Sequence, residues 1–408
     1  MKRINLEIQA LSPLAIGRQK PGGSVSEAET YIPGSVIRGA IAAQILKQAN
    51  TSISDGDNFH ELFLGDHAAT FQNAYPAIIE GQTEPQFEVK VLPATALSSK
   101  TKPGFKSKCN NGVFDTLIDR FCSDCYGHLY DPNCPIDGGR VDAFTGFYSQ
   151  INGKYYSHSA TTRLLTRVGI NRRRATSEER VLYSLEVLNE SQNYKQKPVI
   201  YTGAILLADD LAGILQTFIN NHQEDLRLGG ATSRGLGRVK IKANSPVKIQ
   251  PKVTHQVEQF NNKLRQRWRK WQDIFGNHLN DLPENRTYFT LNLQADAILS
   301  ENWRRTTVIS SAMLQQFAEV NDPSLQLHAA YSTYDYRSGW NSAWGLMKDV
   351  ELITNKGSVY LFSSTEKDLW LKALANLEVK GVGDRTCEGF GQIQICNEFH
   401  LVMREESV

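Results

Sequence analysis

Four of the chain's six cysteines fall in one short stretch, Cys109, Cys122, Cys125 and Cys134, with twelve, two and eight residues between them. Four thiolates suit tetrahedral zinc, and the Cys122–Cys125 pair supplies two ligands from a single tight knuckle. The expectation is a closed structural Zn2+ site, in which His128 could replace one thiolate, and which leaves no open position for metal catalysis. Incidental thiols and redox chemistry are the alternatives. Cys387 and Cys396 lie far off, near the C-terminus. Thiols gathered this locally do not make the spread-out framework of a secreted, disulfide-bonded chain.

Positive charge is equally local. Between Arg163 and Arg180 six arginines (Arg163, Arg167, Arg172, Arg173, Arg174 and Arg180) face two acids, Glu178 and Glu179. A clustered basic patch attracts phosphate, although 45 basic and 43 acidic residues overall imply no polyanion partner. Two glycine-rich stretches add a second kind of anion site. In GGATSRGLGRVKI, Gly229, Gly235 and Gly237 fall at the same spacing as Gly383, Gly389 and Gly391 in GVGDRTCEGFGQIQI. Glycine admits positive φ and close backbone approach, and successive exposed amides can cradle an anion. Each stretch feeds an alternating strand that ends its half of the chain, which suits a sugar-phosphate chain better than a dinucleotide.

A third feature is TYIPGSVIRGAIAAQIL, Thr30 to Leu46. Pro33 and Gly34 read as a turn, Ser35 as the cap of a helix, and Arg38 as a charge beside its anion-attracting end. His60 and His67 could act as general bases, since imidazole titrates near neutrality. No lysine or tyrosine accompanies either at a recognisable spacing, so both read as surface or core histidines.

The elements that must position these residues repeat. INLEIQALSPL, Ile4 to Leu14, aligns without gaps on FTLNLQADAIL, Phe289 to Leu299, pairing Leu6 with Leu291, Gln9 with Gln294, Ala10 with Ala295 and Leu14 with Leu299. Both alternate with the period of a half-buried strand. Between the halves, Val257, Phe260, Leu264, Trp268, Trp271 and Phe275 recur at helical spacing over Val253 to Phe275. Trp268 and Trp271 therefore read as core, while Lys263, Arg265, Arg267, Arg269 and Lys270 occupy the other faces. The expected organisation is a first domain over 1–250 with a zinc-binding insertion at 98–139, a linker helix within 251–284, and a second domain over 285–408. The fold class is α+β, and 408 residues, 40% of them hydrophobic, suffice for two cores. MKRINLEIQA alternates like a strand rather than a signal peptide, and no apolar run nears the roughly 20 residues of a membrane span, so a cytoplasmic protein is expected.

YIPGSVIRGAI, preceded by LAIGRQKPGG, resembles the IPGSSLKG signature of the RAMP superfamily of type III CRISPR systems. GGATSRGLG resembles that superfamily's glycine-rich loop, and HSATTRLLTRVGINRRRATSEERVLYSLEVL resembles its middle segment. The resemblance implies two ferredoxin-like (RNA-recognition-type) domains, the second degenerate, with a hairpin thumb. It is greatest to the subunit of subtype III-D effector ribonucleoproteins that caps the 5′ tag of the guide RNA in antiviral defence. That implies a non-catalytic CRISPR RNA-binding subunit whose partners are other RAMP subunits, the complex's large subunit and, indirectly, target RNA. Carried onto this chain, the implied RNA contacts are Arg18, Ser35, Arg38, Arg163, Arg172, Arg173, Arg174, Gly229, Gly230, Ser233, Arg234, Gly235 and Gly237.

Target-cleaving members carry an aspartate after the first strand, whereas no aspartate precedes Asp55 here and the nearby acids are Glu27 and Glu29. The alternative is a metal-independent endoribonuclease that processes precursor CRISPR RNA through His60 or His67. The second glycine loop bears Asp384 and Glu388 where the first has Gly230 and Arg234. The first is therefore expected to grip RNA and the second to be a docking surface. YDYRSGW, Tyr334 to Trp340, suits either RNA or a protein neighbour.

Overall fold

The computed structural model describes residues 1–18, 27–48, 57–65, 67–77, 88–171, 176–192, 197–276, 282–341 and 345–408. The alternation in KRINLEIQA makes β1 (Lys2–Ala10), with Ile4, Leu6, Ile8 and Ala10 buried. Helix α1 (Gly34–Gln48) and the short strands β2 (Thr70–Phe71) and β3 (Tyr75–Ala77) follow. The chain then leaves the sheet for β4 (Ala96–Ser99), β5 (Val113–Asp115), α2 (Leu117–Cys125) and β6 (Val141–Ala143). Next comes a two-stranded ribbon, β7 (Thr162–Asn171) against β8 (Thr176–Leu188). At about 3.3 Å per residue its longer strand reaches roughly 40 Å. The chain returns in β9 (Ile200–Leu207), α3 (Asp209–Asn221) and β10 (Val239–Ala243).

These strands lie in the order β10, β1, β9, then β2 and β3, every pairing antiparallel. Ile37 and Ile41 of α1 and Leu211 and Leu215 of α3 bury against one face of this sheet. Helix α4 (Val253–Phe275) leads to the second half and buries Val257, Phe260, Leu264 and Trp268 there, with Trp271 packed at the core's margin.

The second half contains β11 (Thr287–Leu293), α5 (Ser311–Ala318), β12 (Gln326–Tyr331), β13 (Tyr334–Arg337), β14 (Glu351–Thr354), β15 (Val359–Ser364), α6 (Lys367–Lys380) and β16 (Ile393–Ile395). Its sheet runs β16, β11, β15, β12, again antiparallel. Each half thus sets its fourth, first, third and second core strands side by side, with a helix after the first and after the third.

The repeat is real, but its register differs from the gapless sequence match. Ile8 faces Ile241 on β10, and Leu291 faces Ile395 on β16. Since the glycine spacing equates Ile241 with Ile395, Ile8 corresponds to Leu291, two residues away from the Leu6–Leu291 pairing. A slip of two preserves which side chains face inward, so alternation alone cannot detect it.

The insertion also differs from its expected limits of 98–139. Leu92, Ala96, Leu97, Phe105, Phe114, Tyr148 and Tyr155 share one core with Phe399 and Val402 from the C-terminal segment. Val113 and Val408 exchange both backbone hydrogen bonds, each 2.9 Å. Helix α2 packs Leu117, Ile118, Phe121 and Cys122 into the core of the second half. Arg267 of α4, expected on a solvated or RNA-facing side, instead meets the fully buried Asp119 at 2.5 Å, and Trp271 Nε1 donates to the same carboxylate at 3.2 Å. The insertion leaves from the first half yet is held by the second.

Candidate nucleic-acid interface

The first glycine loop is pinned from beneath by backbone. The Gly230 amide donates to the Ala15 carbonyl at 2.8 Å and the Gly237 amide to Pro13 at 3.0 Å. A Cβ on Gly229 would lie 2.5 Å from the Ala15 carbonyl oxygen, so the glycine is needed for close approach. Between the glycines, Thr232–Arg234 form one 3₁₀ turn with Ser233 and Arg234 exposed. Arg234 reaches the ribbon, where Nη1 donates to the Tyr183 hydroxyl at 2.5 Å and the guanidinium lies 5.5 Å from the Tyr183 ring centroid. Arg167 Nη1 donates back to the Arg234 carbonyl at 3.2 Å. Two cations and an aromatic ring therefore meet on one surface.

The ribbon's base is fixed to the same region. Glu186 accepts from the Ala28 amide at 2.8 Å and from the Thr162 hydroxyl at 2.7 Å, tying the segment after β1 to β7 and β8. Arg18 pairs with Glu27 where the short strands Gly17–Arg18 and Glu27–Ala28 run antiparallel in that segment. Arg172, Arg173 and Arg174 lie outside the described residues. Arg163, a proposed RNA contact, sits at the ribbon's base and is held by Glu190 at 2.9 Å and Asn189 at 3.0 Å. Tyr183 was not singled out from the sequence. It faces Arg167 across the ribbon, but a register shift between Val168 and Ile170 separates that pair from the turn, so counting from the turn misplaces it.

The second glycine loop has the same supports. Asp384 donates its amide to Ile298 at 2.9 Å and Gly391 to Asp296 at 2.8 Å. Its 3₁₀ turn, Thr386–Glu388, lies against the start of α1 in the first half. A Cβ on Gly389 would stand 2.8 Å from both the Asn73 Oδ1 and the Phe71 carbonyl, and 3.2 Å from the Gly34 Cα. This loop docks within the chain, and it covers the helix end expected to bind phosphate. The helix begins at Gly34, whose amide donates to Asn73 Oδ1 at 2.8 Å, so Ser35 lies inside the first turn instead of capping it. Arg38 donates to the Phe63 carbonyl at 2.5 Å and lies over the Phe63 ring. Burial pushes the Glu388 carboxyl up, but Arg385, with Lys348 and Arg38 nearby, holds it below its ordinary value.

The same boundary is locked by Arg337 of the YDYRSGW stretch. Its Nη2 meets Glu29 at 2.6 Å and its Nη1 meets Asp296 at 3.3 Å, while Tyr31 also donates to Asp296 at 3.2 Å. Burial would raise the Asp296 carboxyl, yet Lys356 and Arg337 keep it low. Arg337 thus joins the two halves, whereas Tyr334 and Tyr336 remain exposed.

The cysteines do not assemble. Among the described residues no three His, Cys, Asp or Glu side chains are grouped to hold a metal. Cys122 points into the core, where burial pushes its thiol well up. Cys109 is exposed, Cys134 is buried within the insertion, and the His128 ring lies 4.3 Å from that of Phe275. Asp57 caps the short helix Asn58–Phe63 through the His60 amide at 2.8 Å, and His67 is exposed.

A family model described as the RAMP superfamily matches residues 7–240, from β1 into β10. The chain belongs to the RAMP superfamily. The match spans the first glycine loop, the ribbon and the insertion, so the surface formed by Arg167, Tyr183 and Arg234 lies within the RAMP portion. Similar solved structures include a type III-B Cmr-β complex bound to cognate target RNA and AMPPnP, at 13% identity and TM-score 0.42, covering 90% of this chain and 88% of that one. A second is Cmr-β bound to cognate target RNA, at 13% identity and TM-score 0.41, covering 88% and 86%. A third is the apo state of Cmr-β, at 13% identity and TM-score 0.29, covering 59% and 96%. No curated protein matches the chain. Among the described residues no helix is long and apolar enough to cross a membrane.

Proposed function

We propose that this RAMP protein is a non-catalytic RNA-binding subunit of a type III CRISPR effector complex, of subtype III-D, that holds the 5′ tag of the guide RNA. The observation that carries this reading is the meeting of Arg234, Arg167 and Tyr183 on one surface midway along the ribbon. Two guanidinium groups answer backbone phosphates, and the half-buried Tyr183 beside them offers an aromatic ring to a base. The order of the core strands, with a helix after the first and third, supports two ferredoxin-like units. Other subunits of the complex are the proposed neighbours, and target RNA is met through the guide.

Nuclease footprinting on assembled complex tests the assignment. Protection of the tag nucleotides is expected, and it should be lost when Arg172, Arg173, Arg174 and Arg234 are all replaced by alanine. An unprotected tag, or guide loading unaffected by those changes, would sink it. Incubation with repeat RNA in a chelator tests the non-catalytic part, since a product that vanishes in His60→Ala or His67→Ala would replace it with the endoribonuclease reading. Metal analysis of freshly purified protein checks the insertion. One zinc per chain that disappears in Cys122→Ala would place a structural metal at the cysteines of the insertion, and absence of stoichiometric zinc from freshly purified wild type would sink that site.

A further inference from the structure

A polar cavity of about 900 Å³ lies between the two halves, remote from the ribbon. One wall is the open face of the first sheet, with Asn5 of β1 and Thr202 of β9. The other comes from the second half, with Gln294, Glu378 and Gln392, while Gln256 of α4 closes one side. Three amide atoms in this lining are buried without a hydrogen-bond partner, namely Gln256 Oε1, Gln294 Nε2 and Gln392 Nε2. Gln294 is not free to turn, because its Oε1 accepts from the Val91 amide at 2.9 Å, and this presents its NH2 group as a donor. Leaving such a group buried and unmatched costs about 1–3 kcal/mol each, so three in one cavity call for a ligand of matching polarity.

The rim has a different character. Lys248 and Lys252 are both exposed there, and Lys252 stands at the N-terminal end of the 23-residue helix α4, whose dipole adds positive potential. Val89, Ile249, Val379 and Ile393 also line the cavity and offer apolar surface. A ligand that answers all three zones has a planar body with adjacent donors and acceptors on its edge, and an anionic tail. We propose that this cavity binds a nucleotide, with its base against the glutamine amides and its phosphate at Lys248 and Lys252. The nucleotide is either free in solution or one residue of a single-stranded RNA, and the volume accommodates either.

Calorimetric titration of the full chain with the four ribonucleoside 5′-monophosphates, their nucleosides and a short single-stranded oligoribonucleotide tests this. At least one monophosphate or the oligonucleotide should bind. Gln294→Met and Gln392→Met should each weaken binding tenfold or more. The Lys248→Ala/Lys252→Ala pair should weaken the phosphorylated ligands tenfold while leaving nucleosides unaffected. Binding by the oligonucleotide alone that persists in Arg234→Glu and weakens in the glutamine variants assigns the site to RNA, and binding by monophosphates assigns it to free nucleotides. Arg234→Glu, which damages the ribbon surface, should leave monophosphate binding unchanged, so the two sites fail separately. Thermal melting identifies any variant that does not fold; Gln392→Met carries the test if Gln294→Met fails. Absence of binding by every ligand at millimolar concentration overturns the proposal, as does binding that both glutamine variants leave intact.

Discussion

In the first glycine loop Gly229, Ala231, Gly235 and Gly237 adopt φ of 85°, 54°, 85° and 80°, and in the second Gly383, Arg385, Gly389 and Gly391 adopt 79°, 59°, 94° and 63°. The two backbones are built alike, yet their surroundings are opposite. Gly389 is pressed against Gly34, Phe71 and Asn73 of the other half, whereas a Cβ on Gly235 would meet nothing within 4 Å. Glu388 is drawn toward Arg385 and Lys348, while its counterpart Arg234 turns outward onto Tyr183. One scaffold therefore serves two purposes according to the charge it carries. The acidic copy closes the molecule on itself, and the basic copy stays open to an anion.

The closed side should be the more fragile. Replacing Arg337 with alanine leaves Glu29, 6% exposed, and Asp296, 8% exposed, without their shared cation. Removing one partner of a buried ion pair costs about 3–5 kcal/mol. Urea unfolding should register a loss of that size, and a loss under about 1 kcal/mol would mean that Arg337 does not hold the halves together. The glycines give a finer comparison. Gly389→Ala and Gly235→Ala incur the same left-handed backbone cost, about 1–2 kcal/mol, but only the first adds a collision with Asn73 and Phe71. Gly389→Ala should be the more destabilising by at least about 1 kcal/mol, and equal losses would show that the docking contributes little.

Much of this contrast is legible in the residues, but not where each loop lies. Spacing reveals that the two glycine stretches are equivalent, and Asp384 and Glu388 mark the second as unsuited to phosphate. The covering of α1 by that loop is invisible, because Gly34 and Gly389 lie 355 positions apart and meet only once both halves are folded. The helix at Val253–Phe275 is readable since its apolar stripe is local, yet Arg267 on its polar side is drawn inward by Asp119 from a distant insertion. The cysteine spacing invites a zinc knuckle, while helix α2 turns Cys122 toward apolar neighbours that periodicity in so short a segment does not announce.

The open side is tested by binding rather than stability. Arg234→Glu places the second loop's charge on the first and should weaken guide RNA by tenfold or more at moderate salt, with a shallower dependence of affinity on salt because one phosphate contact is gone. Glu388→Gln should leave affinity unchanged, since that carboxylate faces protein. Filter binding over a range of salt concentrations measures both, and equal effects from the two substitutions would erase the distinction between the loops.

The smallest effect expected is on acid stability, and it belongs to the closed side alone. Glu388 and Asp296 both titrate below their ordinary values in the folded chain, so the unfolded chain binds protons more readily than the folded one. Their stabilisation is complete above the ordinary carboxylate range, from about pH 5 upward, and is lost as pH falls through the lowered folded values. Glu388→Gln removes one of these two carboxylates. It should reduce stability by roughly 1 kcal/mol at neutral pH and by progressively less toward pH 3, so the variant's curve approaches that of the wild type in acid. Urea midpoints measured from pH 7 down to pH 3 follow this convergence. A constant gap across that range would mean that the substitution acts through packing against α1 and not through the charge that Arg385, Lys348 and Arg38 stabilise.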